Sequence, residues 1–103
     1  MPAVLIAHST ALDAASADRH AAWLKGVHRD ELLRLVDGLE TYDVYRDLTP
    51  DGTHFTGVGT APSVDAATLA SQLGAAAPQF TRAEFMVAEG ENAARLHFAD
   101  VTD

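Results

Sequence analysis

A chain of 103 residues with 48% hydrophobic and 21% charged residues has room for one core, read here as one domain over residues 1–103. Seven basic against fifteen acidic residues leave a formal charge of -8, which argues against nucleic acid or an anionic membrane surface as partner. The absence of cysteine excludes disulfides, thiolate metal ligands and thiol nucleophiles and fits a cytoplasmic protein.

Ala3 to His8, AVLIAH, is short, apolar and contains β-branched residues, so it reads as a first strand buried on both faces. It lacks the length and the preceding positive charge of a signal peptide. A helix capped by Asp13 or Ser16 runs through His20, Trp23, Leu24 and Val27, and Gly26 weakens its end. Asp30 to Val36 then form a short further turn of helix that Gly38 stops. A hairpin follows, with strands near Glu40 to Asp47 and Thr53 to Thr60 joined through Thr49-Pro50-Asp51-Gly52, where Pro presets one backbone angle and Gly accepts a positive one. Ser63 caps a second helix whose stripe of Ala66, Leu69, Ala70 and Leu73 ends at Gly74. Arg82 to Glu89 reads as a fourth strand, residues 93–103 as a last strand or tail, and Asp100 to Asp103 as a frayed end.

The order is βαββαβ, an α+β ferredoxin-like plan with an antiparallel sheet and both helices on one face. The other face carries too much apolar surface to be left to water, so sheet-to-sheet pairing into a homodimer is expected.

The hairpin register decides which residues stand beside His54. With Arg46 opposite Thr53, Val44 pairs with Phe55 and Tyr42 covers Gly57 on the helix face, while Tyr45 and Asp43 share the other face with His54 and Thr56. With Thr49 opposite Thr53, Tyr42 and Arg46 flank His54 instead and become the substrate-binding candidates. The first register is preferred because the second turns Asp43 and Asp47 toward the helices. The Gly57-Val58-Gly59 pair lies inside a strand, so close packing explains it better than a nucleotide.

The Trp23-x4-His28 pair, Gly38, and Tyr42 with Tyr45 resemble the EthD-like branch of the dimeric α+β barrel superfamily. Thr53-His54-Phe55 followed by Ser63 and a helix resembles its stress-responsive A/B-barrel branch, which includes aromatic polyketide cyclases. The resemblance implies a dimeric barrel with a small-molecule cavity, in which His8 and His54 line the wall and Trp23 and His28 contact substrate. The chain departs from the cyclases in having Gly74 to Pro78 where they carry a His-Pro-x-His segment.

In the residues themselves, the start of strand three lies beside the end of strand one, so His54 and His8 meet and supply acid-base groups that titrate near neutrality. Asp43 orients His54, and Tyr45 donates a hydrogen bond to an enolate or phenolate oxygen. No metal-binding spacing such as H-x3-H is present, and no cofactor is expected. These readings converge on an enzyme for an aromatic or polyketide-like small molecule, with cyclisation or dehydration, decarboxylation and ring oxygenation all open. The alternatives are a non-catalytic binding or assembly module and a haem or metal protein of the same fold.

Overall fold

A computed structural model describes residues 2–102. Strand β1 spans Ala3–Thr10, β2 Thr41–Arg46, β3 His54–Ala61 and β4 Arg95–Asp100, and they form one antiparallel sheet in the order β2-β3-β1-β4. Helices α1 (Ala17–Trp23), α2 (Arg29–Leu35) and α3 (Ala66–Ala76) complete the ferredoxin-like plan.

Alternation along each strand sorts the side chains. Leu5, Tyr42 and Ala61 are buried on the helix side, where they meet Leu32, Val36, Leu69 and Leu73, and Phe55 packs in a second cluster with Ala11, Ala17 and Leu24. Val4, Ile6, His8 and Thr10 share the opposite face with His54, Thr56 and Val58 and with Asp43 and Tyr45. Tyr45 is 56% exposed on that face.

The hairpin turns as its residues require. Gly52 adopts φ +67, and the Asp51 carboxylate accepts from the Thr53 amide at 3.2 Å. The register is neither of those expected. Arg46 pairs with Phe55, Tyr45 with Thr56, Val44 with Gly57 and Tyr42 with Gly59. This lies two residues from the preferred register, so the strands slide while every side chain keeps its expected face.

The slide follows from packing. Tyr42 is almost wholly buried and lies diagonally across β3, so a Cβ on Gly57 would fall 1.9 Å from its hydroxyl. One on Gly59 would meet Leu39 at 2.7 Å. The two glycines are the floor on which an aromatic ring rests.

The first helix is longer than expected. Asp13 caps a 3-10 turn at Ala14–Ser16, its carboxylate accepting from the Ser16 amide at 2.8 Å, whereas Ser16 makes no capping bond. Gly26 does not end the helix: Leu24–His28 passes through it as a π-helical segment that joins α1 to α2. Helix α3 is capped by Asp65 instead of Ser63, through the Thr68 amide at 2.8 Å, and continues past Gly74 to Ala76.

Arg82 to Glu89 does not form the fourth strand. That segment touches β1 through the Ala11–Met86 bridge, with Val87 donating to the Thr10 carbonyl at 2.8 Å and Phe85 accepting from Leu12 at 2.9 Å. Arg95–Asp100 pairs with Ala3 to His8 along the same edge, so two segments divide one row of backbone groups. Asp100 is not frayed, because its carboxylate accepts from the Ala66 amide at 2.7 Å at the start of α3. Asp103 lies outside the described residues.

Because Gly57 has an ordinary strand conformation, alanine there meets Tyr42 and no backbone strain. Gly57→Ala is expected to cost about 3 kcal/mol in urea unfolding. In a Tyr42→Leu background the same substitution should cost less than about 1 kcal/mol, since the obstructing ring is gone.

Candidate functional site

The larger cavity lies between sheet and helices, with a volume of about 280 Å³. Its wall includes Leu5, Val44, Leu73, Phe80, Met86 and Leu96, which make it mostly apolar. Trp23, His28, Tyr42, His8 and Ser9 add its polar atoms. A pocket with these proportions suits an apolar ligand carrying few oxygens.

The π-helical segment builds one wall. In an α-helix, residues five apart point roughly 140° from one another, so Trp23 and His28 would diverge. A π turn closes hydrogen bonds between residues five apart and brings them onto one side. The Arg29 amide reaches the Leu24 carbonyl in this way. Trp23 and His28 consequently stack at 4.7 Å between centroids and 15° between planes. His20, one α-turn before Trp23, extends the row at 5.9 Å and 13°. Tyr42 and Phe80 meet His28 edge-on at 6.1 and 5.7 Å.

One ring nitrogen of each residue in this row lacks a partner. Trp23 Nε1, His28 Nδ1 and His20 Nδ1 are buried with no hydrogen bond. A buried polar atom left alone costs about 1–3 kcal/mol, so this row of rings gives up stability to hold its arrangement. Burial also pushes the His28 imidazole down to about 4, despite the opposing effect of Glu31, and pushes the Tyr42 hydroxyl up to about 12. Both side chains are therefore neutral at pH 7.

Glu31 anchors the far side. Its two carboxylate oxygens accept from the Thr81 amide at 2.8 Å and the Thr81 hydroxyl at 2.9 Å, holding the segment that carries Phe80 against α2. Hydrogen bonds from the Thr81 backbone, more than any charge, keep Glu31 below the usual carboxylate range. On the sheet side, Arg29 Nε donates to the Tyr42 carbonyl at 2.8 Å and ties α2 to β2.

The residues singled out in the sequence divide between two faces. Trp23, His28 and Tyr42 come together at the larger cavity, which His8 also borders. His54 lies on the outer face in a polar cavity of about 110 Å³, with His8, Asp47 and Arg95. His8 and His54 are not cross-strand partners, since His8 pairs with Thr56 and Thr10 with His54. Thr56 gives its hydroxyl proton to Asp47 at 2.7 Å, so His8 Nδ1, 3.2 Å away, is the donor in their contact. Tyr45 and Asp43 are exposed on this outer face, Asp43 opposite Val58 and remote in register from His54. Arg46 is turned toward the helix side, where it pairs with Asp18 at 2.9 Å and lies over the Phe55 ring at 5.1 Å.

Ser9 and His20 are not among the sequence candidates. A first strand that ends at His8 puts Ser9 in a loop, whereas β1 runs on to Thr10 and places Ser9 on the helix side. The i, i+3 spacing of His20 and Trp23 is a legible signal of a shared helix face.

No protein-family model matches the sequence, and no curated protein matches it at a significant level. Solved structures do. HapK from Hahella chejuensis superposes with a TM-score of 0.60 at 18% identity, over 99% of this chain and 93% of that one. A monooxygenase from the gene ActVA-Orf6 of Streptomyces coelicolor, in complex with nanaomycin D, gives 0.56 at 14% identity over 98% and 88%. SnoaB, a cofactor-independent oxygenase from Streptomyces nogalater, gives 0.56 at 8% identity over 99% and 94%. The chain shares the ferredoxin-like α+β fold of these structures. The larger cavity is the space between the sheet and the helices of one chain, and the outer sheet face carries His54.

The acid stability of this domain should report on His28. The folded state holds the imidazole near 4 and the unfolded chain near ~6.5, so between these values the unfolded state binds the extra proton. Stability is then intact above the unfolded value and falls as pH drops through that window. Between pH 7 and 4.5 the wild type is expected to lose about 2 kcal/mol more than His28→Phe in urea titrations. Burial lowers His20 as well, so part of the acid sensitivity persists in that variant.

Proposed function

We propose that the chain binds an aromatic or polyketide-like small molecule in the larger cavity and acts on it by acid-base chemistry without a cofactor. The observation that carries this reading is the stacked His20-Trp23-His28 row, in which one buried ring nitrogen of each residue has no partner and of which Trp23 and His28 border an otherwise apolar cavity. The likeness to oxygenases supports it at the level of fold.

In this reading Trp23 and Phe80 present ring surface to the ligand, and Nδ1 of His28 accepts the proton of a ligand hydroxyl. An imidazole held near 4 is a weak base alone. The phenolate formed beside it stabilises the imidazolium, so proton transfer becomes easier once the ligand is bound. Reaction of the resulting electron-rich ring or enolate by oxygenation, cyclisation or decarboxylation is consistent with the same site. Pairing of two outer sheet faces into a cytoplasmic homodimer belongs to this proposal, and it would cover the cavity of His54 and His8 without closing the larger one.

A second reading, a binding module without turnover, is favoured by one specific observation: two of the cavity's titratable groups, His28 and Tyr42, are displaced away from neutrality. Calorimetry with 1-naphthol and absorbance with 1,8-dihydroxynaphthalene separate the two. Both compounds are expected to bind the wild type, with 1-naphthol about tenfold weaker in His28→Phe, the worth of one hydrogen bond. Conversion of the diol should drop at least about tenfold in His28→Phe and stay within about twofold in His54→Ala. The opposite ranking would reassign the base to His54, and binding with no conversion would favour the module.

A further inference from the structure

The pair formed by Ser9 and His20 has no part in the scheme above. His20 is fully buried, and its Nε2 lies 2.9 Å from Ser9 Oγ. Its other ring nitrogen, Nδ1, has no partner. Trp23 stacks on one side of the ring, and Phe55 meets it edge-on at 5.3 Å. Burial holds the imidazole below its ordinary value, so it carries a single N–H at neutral pH.

Where that proton sits follows from the partners. With the proton on Nδ1, the protein would bury a donor that has no acceptor, the rarer and costlier kind of orphan. With the proton on Nε2, it is given to Ser9 Oγ, and only a lone pair at Nδ1 goes unused. The second tautomer is the one this environment favours. Ser9 Oγ then already accepts a hydrogen bond, and its own hydroxyl proton is free to be donated.

Ser9 borders the larger cavity, on the same strand face as Leu5 and Ala7 and opposite Phe55. We propose that Ser9, polarised by the Nε2–H of His20, is the hydrogen-bond donor that anchors a carbonyl or phenolate oxygen of the cavity's ligand. His20 is a positioning residue in this arrangement, since it acts through Ser9. The chain His20 N–H to Ser9 O–H to ligand oxygen strengthens as negative charge develops on that oxygen, as serial donors do in a dry site. The ligand class is thereby narrowed to ring systems that present an acceptor oxygen toward β1, such as an aryl ketone or a quinone. This inference rests on the larger cavity being the binding site.

The test uses the full chain and two probes that differ by one carbonyl, 1-tetralone and tetralin. Calorimetry is expected to show the wild type binding 1-tetralone about tenfold more tightly than tetralin, the worth of a hydrogen bond. Ser9→Ala should abolish that preference while leaving tetralin affinity unchanged. His20→Gln, which can supply an amide donor, should keep part of the preference, and His20→Phe should lose it. Nitrogen-15 shifts of the His20 ring, read without any ligand, should show the proton on Nε2. A preference that survives in Ser9→Ala, or a proton found on Nδ1, overturns the inference and leaves the cavity reading standing. Failure of both probes to bind the wild type overturns the cavity reading and this inference together.

Discussion

One contact governs where everything else can go: the Tyr42 ring lying across Gly57 and Gly59. A strand with side chains at both positions would lift the ring by the thickness of a methyl group or more, and with it the helix layer. With the glycines in place Tyr42 is buried to 1% exposure, and its strand is held to α2 through Arg29. The ring forms the floor of the cavity and is also what His28 meets edge-on. The arrangement that sets the hairpin register is therefore the one that sets the shape of the site.

The opposing wall depends on an irregularity in the helix. A regular α-helix through Gly26 would direct Trp23 and His28 to different sides, so the stacked row exists because the helix widens to a π turn between them. The polar ring atoms left unpaired are gathered in this one row, of which Trp23 and His28 border the cavity. The neutral His28 and neutral Tyr42 follow from the same burial.

Much of the architecture was legible because it rests on local chemistry. The Pro-Asp-Gly turn, the alternation in β1 and β3, the helix stripe of Leu69 and Leu73 and the placement of Tyr42 over Gly57 each follow from residue type and spacing. What could not be read came from competition between segments. Arg82 to Glu89 and Arg95–Asp100 have comparable strand character, and their local sequence does not say which takes the longer part of the β1 edge. The hairpin faces were readable from the apolar pattern, but a two-residue slide preserves those faces and is invisible to it. The π segment has no sequence mark beyond Gly26, so the stacking of Trp23 on His28 across five residues does not follow from regular α-helical periodicity. His8 and His54 were brought to one face correctly, yet that face is the one turned away from the helices.

The central proposal places the site on the helix side of the sheet, at the row of rings, and not on the outer face around His54. The most direct measurement is the nitrogen-15 shift of the single tryptophan's indole during titration with 1-naphthol, followed beside the ring signals of His28 and His54. The Trp23 and His28 resonances are predicted to move together and saturate with one affinity while His54 stays in place. Movement of His54 and His8 with an unchanged Trp23 indole would contradict that placement.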